Sequence, residues 1–268
     1  MSTEARGSED LTGRQQDNEL SCGGDEPGGP VELAPGVLAM FTTRRGGVSA
    51  VPYDTLNLSW SVGDDQAAVS ANRHRAAQAC GLDAGRLAWM HQVHGSAVRH
   101  ASGSGGLAAP EADAMFTDVA GLALGVLVAD CAPVLLGDAR ARVVGAAHAG
   151  REGMAAGVVT ELMTAMSAAG ADPARVHAVI GPHICGGCYE VPAELQARVA
   201  GRAPGSACVT RVGSPGIDVG AGIEAQLAAA GVRRVSRDPR CTAETPGLYS
   251  YRRDGRTGRS AGFIWLAP

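Results

Sequence analysis

The chain has 268 residues, of which 45% are apolar and 19% charged, so it can build a packed core and is not charged enough to be disordered throughout. Its 23 basic side chains, all of them arginine, are outnumbered by 27 acidic ones, and the formal net charge of -4 argues against non-specific binding to nucleic acids or anionic membranes. The absence of lysine excludes catalysis through a lysine Schiff base.

Residues 1–30 are rich in acidic, Gly, Ser and Gln residues and poor in apolar ones, which predicts a disordered N-terminal tail. This segment has no basic start followed by an apolar run, so we expect no secretory signal. The longest apolar stretch, residues 121–136, is interrupted by Asp130 and is typical of buried strands rather than of a membrane span. Seven irregularly spaced cysteines favour a reducing, cytoplasmic environment over a disulfide framework.

From Val37 onward, apolar periodicity and turn residues predict alternating strands and helices. This alternation predicts an α/β (α+β) fold with one domain over residues 31–268. Residues 248–255 and 260–266 are predicted to form a hairpin across DGRTG, and residues 101–110 a mobile loop. The predicted strands are 37–43, 87–95, 114–118, 122–130, 141–150, 176–182 and 232–236, and the predicted helices are 65–81, 151–170, 192–200 and 217–231.

Three short segments, HQVHG, ADCAP and AHAG, place metal-binding residue types at the ends of apolar runs. Because strand ends in α/β folds converge on one edge, His94, Cys131 and His148 are candidates for a single site. Two imidazoles and one thiolate suit zinc with one open position, where a bound water would become acidic enough to act as a nucleophile. Their separations of 37 and 17 residues match no local zinc pattern, and a buried free thiol with two unrelated histidines explains the same residues.

The segment Cys185-Gly-Gly-Cys188 contains a second pair of candidate ligands. A single CxxC pair occurs in redox sites and as half of a zinc knuckle, but no second pair and no thioredoxin-like context accompany it here. We interpret the segment as a turn between a strand and a helix, with Cys188 packed inward.

Arginines supply candidate anion-binding groups at Arg44 and Arg45, after a strand, and at Arg252 and Arg253, within YSYRRDG. A guanidinium group binds phosphate or carboxylate through two parallel hydrogen bonds, so a phosphate-using substrate would suit these residues. For Arg252 and Arg253, solvated positions or structural ion pairs are the favoured interpretation. The sequence contains no P-loop, GxSxG, HExxH or GxGxxG motif in a suitable context.

The order of the motifs across residues 37–266 resembles that of the laccase-domain family, whose members are described as multicopper polyphenol oxidases, purine nucleoside phosphorylases or peptidoglycan editing factors. The resemblance implies a single-domain, layered α/β/β/α fold with mixed sheets. It also implies a zinc site at His94, Cys131 and His148. The motifs that carry it are FTTRRGGVSAVPYDTLNLS, HQVHG, EADAMFTD, ADCAPVLL, AHAG, GPHICGGCYEVP and LYSYRRDGRTGRSAGFIWL.

The resemblance further implies that the partners are small molecules, a purine nucleoside and phosphate, with phosphorolysis of adenosine, inosine, guanosine or methylthioadenosine and deamination of adenosine as activities. In our hypothesis for deamination, zinc-bound hydroxide attacks the adenine ring, and Asp130 either shuttles protons or orients a histidine. For phosphorolysis, Arg44 is the candidate phosphate clamp, and Asn57 is a candidate hydrogen-bond donor to sugar or phosphate. The sequence leaves monomer and homodimer open.

Two departures from the family pattern concern the substrate more than the metal: Arg151-Glu152-Gly153 where Trp-Arg-Gly is common, and Ser61 where a histidine is common. Three alternative functions remain. These are copper-dependent phenol oxidation, hydrolysis of an amide in a cell-wall precursor with zinc hydroxide or Cys131 as nucleophile, and a non-catalytic metal-binding module. The chain has 7 histidines and no HxH pair, too few ligands for a multicopper cluster, although a His/Cys set also binds single copper ions.

Overall fold

The computed structural model describes residues 29–103 and 109–268. Residues 1–28 of the predicted tail and residues 104–108 of the predicted loop lie outside this range. Among the helices of the described segments, none combines the length and apolar character needed to cross a membrane.

Strands and helices alternate through much of the chain, as predicted. The strands are β1 (Val31–Ala34), β2 (Val37–Phe41), β3 (Leu87–Ala88), β4 (Val98–His100), β5 (Ala114–Thr117), β6 (Ala123–Val128), β7 (Ala132–Asp138), β8 (Val143–Ala149), β9 (His177–Ile180), β10 (Ala207–Val209), β11 (Pro215–Ile217), β12 (Arg234–Arg237) and β13 (Ser260–Leu266). The helices are α1 (Gln66–Ala79), α2 (Arg151–Ala155), α3 (Val158–Ala168), α4 (Ala193–Ala200), α5 (Val219–Ala229) and α6 (Tyr251–Asp254), with short 3₁₀ turns at Trp60–Val62 and Ala84–Arg86.

Two large mixed sheets form the centre of the fold. One has five strands in the order β1-β2-β13-β6-β3, and the other has six in the order β12-β9-β7-β8-β5-β4, while β10 and β11 form a separate hairpin. The pairs β3–β6, β4–β5 and β9–β12 are parallel, and the remaining neighbours are antiparallel. This topology confirms the predicted α/β (α+β) class with mixed sheets.

The sheets pack face to face, and helices cover both outer faces. Side chains alternate between the two faces of each strand. Along β13, Ile264 faces the core between the sheets, whereas Phe263 and Trp265 pack towards α1. Along β7, Leu135 faces the core between the sheets, and Val134 packs towards α2–α5. The layers therefore run α/β/β/α, as the resemblance implies.

Among the local predictions that are wrong, two fail because a glycine and a capping serine override the apolar pattern. The predicted helix 151–170 is split into α2 and α3 at Gly157, whose φ of 81° is left-handed. The predicted hairpin across DGRTG does not form, since Ser250 accepts the backbone N–H of Arg253 and starts α6. Strand β13 pairs instead with β2 and β6.

Close packing between the two sheets leaves no room for a side chain at Gly181. A Cβ there would lie 2.7 Å from Cδ1 and Cζ of Phe41, whose ring is buried between the sheets. We predict that Gly181→Ala lowers the free energy of unfolding by about 1–3 kcal/mol, measured by urea denaturation. Gly85→Ala is the matched control, because a Cβ at Gly85 has no neighbour within 4 Å. Equal stability of the two variants would contradict this packing.

Candidate metal centre

His94 lies in a loop that begins earlier than predicted. The predicted strand 87–95 is wrong beyond Ala88, because the Gln92 side chain takes over the pairing with β6. Its amide donates to the carbonyl of Leu127 at 2.8 Å and accepts the N–H of Leu127 at 2.8 Å. The backbone that follows is free to turn, and His94 takes a φ of 62°, which is costly for a residue with a side chain.

The buried carboxylate of Asp113, directly before β5, holds this loop in place. It accepts the backbone N–H groups of Val93, His94 and Gly95 at 3.2, 2.9 and 2.7 Å, and Nδ1 of His148 at 2.8 Å. Burial would raise the pKa of Asp113, but hydrogen bonds from His148 and the backbone outweigh it and lower the pKa, so the group is ionised. Sequence reasoning missed Asp113 as a site residue, although it stands in the motif EADAMFTD.

Cys131 and His148 reach the same point from two other strands. Cys131 follows Asp130 where the chain crosses from β6 in one sheet to β7 in the other. His148 lies in β8, opposite Pro133 of β7. Sγ of Cys131 is 3.9 Å from Nε2 of His94, and the ring centroids of His94 and His148 are 4.7 Å apart. A Cβ at Gly150 would lie 2.7 Å from Sγ, so only glycine allows this approach.

The His94–Cys131–His148 cluster fits a divalent metal ion with one open position. Its donor atoms all lie within 4.8 Å of one another, and neighbouring N and S ligands of tetrahedral zinc are about 3.6 Å apart. Because Nδ1 of His148 is bonded to Asp113, Nε2 is the nitrogen left for a metal.

The electrostatics of the cluster favour the metal-binding form of the thiol. Burial opposes ionisation of Cys131, but the charge of His148 and hydrogen bonds from both histidines lower its pKa to about 6. Burial likewise opposes protonation of His148, but Cys131 and Asp113 raise the pKa of His148 to about 9. A divalent cation held by these residues would replace the imidazolium proton as the countercharge of the thiolate.

A cavity of about 870 Å³ opens over the cluster. The guanidinium of Arg252 lies 5.1 Å from the ring centroid of Tyr189, and Arg151 donates to the Tyr189 hydroxyl at 3.5 Å. Ser61 also faces the cavity. The aromatic and cationic residues that line it are Trp60, Trp89, Tyr189, Tyr251, Arg73, Arg151, Arg252 and Arg259.

Asp130 also lines the cavity, but hydrogen bonds from neighbouring residues occupy both oxygens of its carboxylate. Oδ1 accepts the hydroxyls of Thr242 and Ser250 at 2.6 and 2.7 Å, and Oδ2 accepts the backbone N–H of Arg252 at 2.6 Å. None of these hydrogen bonds joins Asp130 to His94 or His148. Asp130 therefore anchors the start of α6 and fixes the position of Arg252.

The other two predicted substrate-binding residues lie away from the cluster. Arg44 binds the carbonyl and carboxylate of Asp54, packs over Tyr249, and lines a separate depression. Asn57 is fully buried, and its Oδ1 accepts the backbone N–H of Arg259 at 2.9 Å. Asn57 thus positions a cavity arginine. Arg252, for which the sequence favoured a solvated or structural position, lines the cavity itself.

Within residues 29–103 and 109–268, a second group of potential ligands lies together. Cys185, Cys188, Cys241 and Glu244 have donor atoms within 4.8 Å of one another. The CxxC segment is a turn between β9 and α4, as predicted, but Cys188 is only partly buried rather than packed inward. The sequence did not indicate that Cys241 would join this group.

Asp113 is expected to determine metal affinity by orienting both histidines. We predict that Asp113→Asn weakens zinc binding by about 10–100-fold, measured by competition with a chromophoric chelator. Asp118→Asn is the matched control, because Asp118 pairs with His100 at 3.1 Å on the surface. An Asp113→Asn protein that is folded and binds zinc as tightly as the control would contradict this role.

Comparisons with known proteins identify the family. Residues 38–267 match the family model described as multi-copper polyphenol oxidoreductase laccase. Purine nucleoside phosphorylase ORF3 of Streptomyces griseus is 55% identical over 228 residues, covering 84% of this chain and 93% of that protein. A purine nucleoside phosphorylase of Streptomyces coelicolor is 52% identical over 227 residues, covering 84% and 94%.

A solved structure shares the fold. The crystal structure of YlmD from Geobacillus stearothermophilus superposes with a TM-score of 0.83 at 31% identity, covering 89% of this chain and 94% of that chain. The family model spans nearly all of the described residues, and the relatives match over most of their own length. The chain therefore belongs to the laccase-domain family.

Proposed function

We propose that the protein is a zinc-dependent purine nucleoside phosphorylase that acts on nucleosides such as adenosine and inosine. The observation that carries the proposal is the His94–Cys131–His148 cluster at the base of a cavity that also presents arginines and aromatic rings. Its volume of about 870 Å³ is in the range of small-molecule sites. The names of the two Streptomyces relatives support the same activity.

In this reaction a phosphate oxygen attacks C1′ of the ribose, the bond from C1′ to the purine breaks, and ribose 1-phosphate and the free base leave. Arg252 and Arg151 are the proposed phosphate-binding groups, since both guanidinium groups lie against Tyr189 on the cavity wall. Zinc held by the cluster would supply positive charge beside a substrate oxygen. Asp113 fixes the positions of His94 and His148 through its hydrogen bonds to both. The half-exposed ring of Trp60 offers a surface on which the purine stacks.

The surroundings of Asp130 favour phosphorolysis over deamination. Phosphate brings its own nucleophilic oxygen, whereas deamination needs an acid/base group that carries protons between water and the leaving amine. Asp130 is the carboxylate among the described cavity-lining residues, and both of its oxygens already accept hydrogen bonds. We therefore propose phosphorolysis as the main reaction, with adenosine deamination as the second activity to be measured.

The remaining alternatives make different demands on the same residues. Of the two candidate ligand clusters in the described segments, one contains two histidines and the other none, which does not meet the needs of multicopper phenol oxidation. Amide hydrolysis with Cys131 as nucleophile needs a free thiolate, whereas a thiolate bound to zinc is not available for attack.

Product analysis tests the proposal directly. With adenosine and phosphate we expect adenine and ribose 1-phosphate, and no adenine when phosphate is omitted, whereas inosine would show deamination. Cys131→Ala should remove the metal from this cluster and lower kcat/KM at least about 100-fold, because the metal contributes several kcal/mol to transition-state stabilisation. Cys208→Ala serves as control, since Cys208 lies outside the cavity lining. Full activity of Cys131→Ala without metal in this cluster would refute the proposal.

Arg252 should act mainly on phosphate. Replacing it by Ala leaves its backbone N–H bond to Asp130 intact and removes a charged hydrogen-bond donor. Because such a hydrogen bond contributes about 1.5–3 kcal/mol to binding, we predict a 10-fold or greater rise in KM for phosphate and a smaller change in KM for the nucleoside. Arg99→Ala removes an exposed arginine of β4 outside the cavity and should leave both KM values unchanged. Equal phosphate KM values for the two variants would reject Arg252 as the clamp.

A further inference from the structure

We infer that Cys185, Cys188, Cys241 and Glu244 form a second, structural zinc site, separate from the cluster in the cavity. Their four donor atoms lie within 4.8 Å of one another, although they come from two segments that are far apart in sequence. Three thiols and one carboxylate in a single group have no role in the proposed reaction. The inference does not depend on the proposed function.

The turn formed by Cys185-Gly-Gly-Cys188 brings two of the thiols together. The N–H groups of Cys188 and Tyr189 donate to the carbonyl of Cys185 at 3.0 and 3.1 Å, which closes the turn. A Cβ at Gly186 would lie 2.7 Å from Sγ of Cys208, and a Cβ at Gly187 would lie 3.1 Å from Cγ of Arg211. A side chain at Gly186 would therefore collide with Cys208, whereas one at Gly187 would require a small shift of Arg211.

Cys241 reaches the same place through pairing between its segment and the one before the turn. His183 and Cys241 form a parallel bridge, and the N–H of Thr242 donates to the carbonyl of His183 at 3.1 Å. The N–H of Cys185 donates to Sγ of Cys241 at 3.3 Å, a contact that stabilises negative charge on sulfur. A turn from Cys241 places Glu244 on the same side, with its N–H bonded to the Cys241 carbonyl at 3.1 Å.

The donor set and its spacing fit zinc. With Zn–S distances of about 2.3 Å, thiolates around a tetrahedral ion lie about 3.8 Å apart, which the 4.8 Å spread reaches with small side-chain adjustments. Thiolates select zinc over the hard cations calcium and magnesium. Four protein ligands leave no open position, which is the mark of a structural site, whereas the cluster in the cavity has three.

Arg211 balances the charge of this group. Its guanidinium contacts the Glu244 carboxylate and lies 3.5 Å from Sγ of Cys188, and its side chain is 60% exposed. Three thiolates and a carboxylate around Zn²⁺ leave two net negative charges, one of which Arg211 offsets. The exposed side chain can shift towards solvent while keeping this contact with a carboxylate oxygen.

The proposed site would brace the wall behind the catalytic cluster. Ile184, next to Cys185, donates its N–H to the carbonyl of Asp130 at 3.0 Å, and Thr242, next to Cys241, donates its hydroxyl to the Asp130 carboxylate. Asp130 precedes Cys131 directly. A zinc ion that joins the two segments would therefore fix the distance between Ile184 and Thr242, the two residues that bind Asp130.

Zinc content per chain tests the inference. We expect about two zinc ions in the full-length wild-type protein, one in Cys131→Ala, one in Cys188→Ser and none in the double variant, measured by mass spectrometry of the metal. Cys208→Ser is the matched control, because Cys208 adjoins the turn without belonging to the group, and it should keep both ions. One ion in the wild type that is lost in Cys131→Ala and kept in Cys188→Ser would overturn the inference.

A second measurement does not require the new site to be mutated. X-ray absorption at the zinc edge of Cys131→Ala should show a mostly sulfur ligand shell at about 2.3 Å, since the remaining ion would be held by three thiolates. A shell made mainly of nitrogen and oxygen would overturn the inference. A disulfide between Cys185 and Cys188 in the freshly purified protein would also overturn it.

Discussion

The candidate metal centre depends on one buried carboxylate, that of Asp113. A buried charge is costly unless all of its hydrogen-bonding capacity is used, and Asp113 meets this condition with three backbone N–H groups and one imidazole. The same bonds fix the left-handed backbone of His94 and select the nitrogen that His148 presents. The cost of burying Asp113 and the strain at His94 are thus offset by a single set of contacts, which makes the two histidines one rigid unit.

The fold explains why the chemistry lies where the two sheets meet. Strands β6 and β7 belong to different sheets, and Asp130 and Cys131 occupy the short crossing between them. Two polar side chains fix the backbone of the cavity arginines: Asn57 accepts the N–H of Arg259, and Asp130, in the crossing itself, accepts that of Arg252. Asn57 and Asp130, which the sequence suggested as substrate-binding or catalytic residues, therefore hold the backbone of other residues in place. The arginines that they hold face the cavity.

Strand-end reasoning brought His94, Cys131 and His148 together as candidates, and periodicity gave the fold class, because both follow from regular burial patterns. Asp113 could not be found in this way, since its partners lie 19 and 35 residues distant and a single acid before a strand does not reveal them. The hairpin at DGRTG was mispredicted because the Ser250 cap outweighs strand propensity. The positions of Arg44 and Asn57 depend on how a long loop folds back, which local sequence does not encode.

Gln92 shows how one side chain can serve two separate needs. By bonding both backbone groups of Leu127, it pairs the edge of the five-stranded sheet beyond the short strand β3. It also releases the following residues from strand geometry, so that they can wrap around Asp113. A shorter side chain at this position would leave both backbone groups of Leu127 unpaired and would free the loop that carries His94 in the same event.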